Sequence, residues 1–252
     1  MKRLLLFFFV IGTAVYTSSQ TKVIAHRGFW DTENSAQNSL TSLYKASNTG
    51  CYGSEFDVQM TADGKLIVFH DNELKGKKIY ETPYDSLRNY RLSNGEILPT
   101  LEQYLIHARN CPKIKLILEI KTYKDIPLQN IRKIVSETMS LVNFYGLQSR
   151  TEYIAFDLSV CKEVRKKDAN IPVFYLNGDA SPAELKALNI TGLNYHYKKI
   201  TENPTLVTEA HTLGLKLNVW TVNDVKAMNQ FIEQGVDFIT TDKPLLLIDT
   251  LK

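Results

Sequence analysis

Short apolar runs alternate along the chain with longer amphipathic stretches. The runs span Val23 to Ala25, Glu55 to Val58, Leu66 to Phe69, Lys115 to Ile120, Tyr153 to Phe156, Pro172 to Leu176, Gly192 to Tyr195, Leu217 to Val222 and Phe238 to Thr240. Each has strand length. Between most of them lie Asn38 to Asn48, Leu101 to Arg109, Asn130 to Tyr145, Leu158 to Lys167, Pro182 to Leu188, Leu206 to Leu213 and Val225 to Gln234, whose apolar residues recur at helical spacing. A helix after nearly every strand implies a parallel sheet. At 252 residues, with no low-complexity linker, this predicts a single-domain α/β fold, a (β/α)8 TIM barrel in preference to an open doubly wound sheet.

One interval breaks the rhythm, since there are nine runs for eight barrel strands. Thr61-Ala62-Asp63-Gly64 is a turn signal, and it leaves too few residues for a helical crossover between the runs on either side of it. Either a tight helix-free crossing joins two barrel strands there, or one run lies outside the barrel. Both make the second-to-third strand connection irregular.

The first 19 residues form a separate unit: Lys2 and Arg3, an apolar stretch from Leu4 to Val15, then the small residues Thr17, Ser18 and Ser19. This is a signal-peptide pattern, and the apolar stretch is shorter than the roughly 20 residues of a spanning helix. The expectation is a signal peptide over residues 1–19, no stable membrane insertion after its cleavage, and a barrel domain over residues 20–252 in the periplasm or secreted. No cysteine lies near the cleavage region, which argues against a bacterial lipid anchor. Removal of Lys2 and Arg3 takes the formal charge from +3 to +1. So balanced a surface points to no nucleic-acid partner. Cys51, Cys111 and Cys161 are odd in number, and three isolated buried thiols are the simplest reading in a domain of this size. The sequence sets no oligomeric state.

Candidate chemistry gathers at the strand ends. His26 closes Val23-Ile24-Ala25-His26 and His70 closes Leu66-Ile67-Val68-Phe69-His70, with Glu55-Phe56-Asp57 between them in sequence. Two histidines can supply the base and the acid of one displacement near neutral pH. Carboxylates two apart on a strand share a face, so Glu55 and Asp57 can share one hard cation. Glu119 and Lys121 fall at another strand end, and barrel active sites are built at such ends.

These residues belong to an ordered series: His26-Arg27-Gly28, Glu33-Asn34-Ser35, Glu55-Phe56-Asp57-Val58, Thr61, Asp63-Gly64, His70-Asp71, Pro99-Thr100-Leu101-Glu102, Leu118-Glu119-Ile120-Lys121, Val219-Trp220-Thr221-Val222-Asn223 and Thr240-Thr241-Asp242-Lys243-Pro244. In that order the chain resembles the glycerophosphodiester phosphodiesterases, within the wider group of phospholipase-C-like barrel phosphodiesterases. The resemblance implies that His26 and His70 are the acid/base pair and that Glu55, Asp57 and Glu119 hold one divalent cation, Ca2+ or Mg2+. It also implies phosphate contacts from Arg27 and Lys121, and a pocket-wall aromatic at Trp220. The implied reaction is hydrolysis of a small-molecule glycerophosphodiester to sn-glycerol 3-phosphate and an alcohol.

Two departures bear on substrate choice. Thr32 and Ser35 flank Glu33-Asn34 where the family usually has Pro and Thr, and Asn72 to Lys78 lacks an arginine often found after the second histidine. The Glu73 to Leu98 stretch, polar and Lys-rich, favours a soluble diester over an intact lipid. Alternatives are a barrel phosphodiesterase or phospholipase for another head group, such as an inositol phosphate or cell-envelope glycerophosphate, and a catalytically inert exported binding protein. His107, His196 and His211 are read as structural.

Overall fold

The computed structural model describes residues 20–252, so the segment read as a signal peptide lies outside the described residues. The strands are β1 (Lys22–Ala25), β2 (Gly53–Met60), β3 (Leu66–Val68), β4 (Glu73–Leu74), β5 (Lys77–Lys78), β6 (Lys115–Ile120), β7 (Thr151–Ala155), β8 (Val173–Tyr175), β9 (Gly192–His196), β10 (Lys216–Trp220) and β11 (Phe238–Thr241). The helices are α1 (Leu40–Ser47), α2 (Leu101–Arg109), α3 (Leu128–Phe144), α4 (Leu158–Lys167), α5 (Pro182–Ala187), α6 (Tyr197–Glu202), α7 (Leu206–Thr212), α8 (Val225–Glu233) and α9 (Pro244–Thr250). Eight strands, β1, β2 and β6 to β11, pair in parallel, and β1 closes the ring by pairing with both β2 and β11. The chain is a (β/α)8 barrel.

Alternation along each strand separates two cores. Phe56, Leu118 and Tyr153 face outward into the layer shared with helix residues such as Leu43, Tyr104 and Ile131. Phe56 stacks on Tyr104 with ring centroids 4.3 Å apart. Ile24, Ile117, Ile154, Phe174 and Phe238 face inward and fill the barrel. The next inward positions toward the carboxyl ends build the site, polar at His26, Glu119 and Thr240 and apolar at Phe156 and Leu176.

The ninth apolar run is outside the barrel. β3 pairs antiparallel with the end of β2, Val58 opposite Val68 and Met60 opposite Leu66, through the turn that Gly64 closes at φ +87°. This hairpin takes the place of a crossover. It doubles the chain back until the Phe69 amide donates to the Asp57 carbonyl at 3.0 Å, which delivers His70 to the barrel mouth. The polar stretch after it has its own small core: Leu74, Ile79, Leu87, Leu92 and Leu98 pack with Ala36 and Ile67. Thr100 then N-caps α2 in a capping box with Gln103, so this part of the Pro99 to Glu102 motif starts a helix.

The short helices α6 and α9 add to the helices that the pattern predicts, and both are too brief to show a helical period. All three cysteines are free and buried. No helix among the described residues is long and apolar enough to cross a membrane.

Candidate active site

A cleft opens at the carboxyl ends of the strands, where barrel active sites are built. His26, Arg27, Glu55, His70, Glu119 and Trp220 line it. Asp57 sits beside them, its carboxylate reached by Asn38 Nδ2 at 2.8 Å. Residues far apart in sequence thus meet because their strands are neighbours: β2 pairs with β6 so that Asp57 lies opposite Glu119.

β1 ends in a turn that two left-handed residues make possible, Arg27 at φ +53° and Gly28 at φ +77°. Gly28 also admits α1 closely, for a Cβ there would collide with the Ser42 side chain. Gly28→Ala is therefore expected to destabilise the protein by about 1–3 kcal/mol, read as a lower melting temperature. The turn aims the Arg27 amide at Glu55, with N to Oε2 at 2.7 Å, and its guanidinium donates to Gln37 Oε1 at 2.6 Å.

Each histidine is held through Nδ1. His26 Nδ1 lies 2.7 Å from Asp242 Oδ1, and His70 Nδ1 lies 2.7 Å from Asp71 Oδ1. Since the carboxylates accept, Nδ1 is the donor in each ring, and Nε2 is left for a ligand. Asp242 also accepts from Trp30 Nε1 at 3.0 Å and from Asn223 Nδ2 at 2.7 Å. Burial works against its charge, yet the bonds from His26, Asn223 and Trp30 hold it down at about 2. For His70, burial outweighs the pull of Asp57 and lowers the imidazole below its ordinary value.

Glu55, Asp57 and Glu119 bring oxygens within 4.8 Å of one another while only 3%, 1% and 7% exposed. Burial first, then the charges of Asp57 and Glu119, push Glu55 well above the usual carboxylate range. Burial likewise lifts Glu119 to about 7, although Lys121 Nζ stands 2.9 Å from its Oε1. Asp57 alone stays low: burial is overcome by Lys121, His70, Asn38 and Arg27. Three buried acids that cannot all ionise beside one lysine and one arginine fit a divalent cation, and an all-oxygen donor set suits Ca2+ or Mg2+.

The remaining expectations divide. Trp220 forms the wall, donating Nε1 to the Asn194 carbonyl at 2.8 Å and meeting Phe156 edge-on at 5.6 Å. Lys121 is bound up with the carboxylates, also 3.5 Å from Asp57 Oδ1, so its charge goes first to the triad. His196 caps α6 and braces Trp220 with ring centroids 5.1 Å apart. No local pattern around Asp242 or Asn223 reveals that the end of the last strand sets the Asp242 carboxylate against the first strand's histidine.

Known proteins provide an independent comparison. The family model described as glycerophosphoryl diester phosphodiesterase family matches residues 26–246. A glycerophosphodiester phosphodiesterase of Caldanaerobacter subterraneus is 27% identical over 92% of this chain and 98% of that protein. The crystal structure of a glycerophosphodiester phosphodiesterase from Parabacteroides distasonis is 49% identical, covers 92% of this chain and 97% of its own, and superposes with a TM-score of 0.90. A phosphodiesterase of Oleispira antarctica, solved with the product sn-glycerol 3-phosphate, shares the fold at 22% identity over 92% of this chain and 97% of that one, with a TM-score of 0.78. With the model matched over nearly the whole described length and carrying every element of the cleft, this chain belongs to the glycerophosphoryl diester phosphodiesterase family.

Proposed function

We propose that the protein hydrolyses glycerophosphodiesters to sn-glycerol 3-phosphate and an alcohol, with His26 and His70 moving the protons and Glu55, Asp57 and Glu119 holding Ca2+ or Mg2+. The observation that carries this reading is the pairing of two imidazoles, each tethered at Nδ1, with a buried carboxylate triad in one cleft. The Oleispira antarctica product complex supports the choice of glycerol phosphate. The sequence pattern of residues 1–19 supports action after export, in the periplasm or outside the cell.

A phosphodiester resists attack because its negative oxygens repel nucleophiles and its leaving alkoxide is basic. Bound at the triad, the cation supplies charge neutralisation at the phosphate. Arg27 lines the cleft and adds a fixed positive charge. Lys121 offsets part of the triad's own charge and keeps the carboxylates together.

One imidazole takes the proton of the glycerol hydroxyl adjacent to the phosphate, whose oxygen attacks phosphorus. The bond to the head-group oxygen breaks, and the other imidazole protonates that oxygen as the alcohol leaves. Water then opens the cyclic phosphate with the proton transfers reversed. The internal hydroxyl is favoured as nucleophile because it is already positioned.

Phosphorus NMR of glycerophosphocholine, glycerophosphoethanolamine and glycerophosphoglycerol with the protein tests this directly. Glycerol 3-phosphate should accumulate, with a transient cyclic phosphate before it. No product from any of the three overturns the reaction and favours another head group or a binding role.

Asp242 acts through His26, so Asp242→Asn is expected to lower kcat on the order of 100-fold with KM nearly unchanged. Steady-state kinetics check it. A change confined to KM would mean that Asp242 serves substrate binding instead.

A further inference from the structure

The cleft has three chemically different sides. On β1, β2 and β6 it is charged, and on β7 and β8 it is apolar through Ile154, Phe156 and Leu176. On β9 and β11 it is neutral and polar, with the Trp220 ring of β10 between them. Asn194 and Thr240 line this third side, with Asn218 beneath them, each no more than 4% exposed. Asn218 Nδ2 donates to Asn194 Oδ1 at 2.7 Å and to Thr240 Oγ1 at 2.8 Å. Its own Oδ1 is buried with no hydrogen-bond partner among the described residues.

Nothing in the proton transfers or the carboxylate triad uses these three residues. Barrel interiors are ordinarily filled by branched apolar side chains, as Ile24 and Ile117 do here, and buried amides are costly unless they are satisfied. The cluster also has unused capacity toward the cleft. With Asn194 Oδ1 and Thr240 Oγ1 both accepting from Asn218, the Asn194 Nδ2 and the Thr240 hydroxyl proton remain to be matched. No charge is present, so the side does not suit a phosphate. Turning both amides over exchanges donors for acceptors, and a hydroxyl answers either arrangement because it does both.

We infer that Asn194 and Thr240, held in place by Asn218, form a subsite for the glycerol hydroxyl that takes no part in the attack, and so select glycerol diesters over diesters lacking it. This deepens the proposed reaction and rests on it. Trp220 joins the subsite to the wall through its bond to the Asn194 carbonyl.

The test compares glycerophosphocholine with 2-hydroxypropyl phosphocholine, which keeps the adjacent nucleophilic hydroxyl and lacks the terminal one. Wild type should favour the glycerol diester in kcat/KM on the order of 100-fold, because the shorter analogue leaves buried polar groups unmatched. Thr240→Val, which is isosteric, and Asn194→Leu should each shrink that ratio about tenfold or more, with folding checked by circular dichroism. Both should weaken inhibition by glycerol 3-phosphate more than inhibition by inorganic phosphate. A folded Thr240→Val with an unmoved ratio overturns the subsite alone, whereas a wild type inert on glycerophosphocholine overturns the underlying reaction and the subsite with it.

Discussion

His26→Ala and His70→Ala are each expected to cut turnover of a glycerophosphodiester by roughly 100-fold to 10,000-fold, the usual share of one general acid or base. Both rings line the cleft and are only partly buried, and neither belongs to a hydrophobic core, so folding should survive the change. The expected signature is a fall in kcat in a protein whose circular dichroism and melting temperature are close to wild type. Because the two rings serve one displacement, the double variant should lose far less than the product of the single effects. A single variant within tenfold of wild type would contradict the assignment of that histidine.

The carboxylate triad should make the metal-free protein less stable as pH rises from about 5 to 8. Glu119 moves from the ordinary 4.5 to about 7, and Glu55 is also raised. A carboxyl whose folded value exceeds its unfolded value is held more tightly as the neutral acid in the fold. No penalty exists below the unfolded value, and it builds up as pH climbs from about 4.5 through about 7. Asp57 and Asp242 are lowered and slope the other way, losing their contribution only as pH falls below about 3.8. Binding of Ca2+ or Mg2+ relieves the crowding, and at 100 times Kd it should raise the melting temperature by roughly 5–10 °C. That gain should be larger at pH 8 than at pH 5, where protons compete for the same oxygens. In Glu119→Gln the cation's effect should largely vanish, and the metal-free protein should lose part of its pH slope. Scanning calorimetry across this range, with and without cation, reads both. A gain independent of pH, or one retained in full by Glu119→Gln, would contradict the triad as the binding site.

Much of this was legible in the chain itself. Strand runs and helix periods carried the barrel because burial imposes them locally, and the misfit at Thr61 to Gly64 marked the place where a hairpin, β3, replaces a crossover. His26, Glu55, Asp57 and His70 stood out because charge and imidazole at the ends of apolar strands demand a reason. Partners set by closure were not legible. Asp242 meets His26 across 216 residues, and Asn194 meets Asn218 across 24, only because β11 pairs with β1 and β9 with β10. Register across a closed sheet is a tertiary property, and no periodicity within one segment encodes it.

Release of glycerol 3-phosphate from glycerophosphocholine by chelator-stripped protein, before and after addition of Ca2+ or Mg2+, decides whether the carboxylate triad works through a bound cation. The stripped protein should release none, one or both cations should restore release, and Glu55→Gln should not recover. Full activity in protein shown by elemental analysis to be free of divalent metal would contradict it.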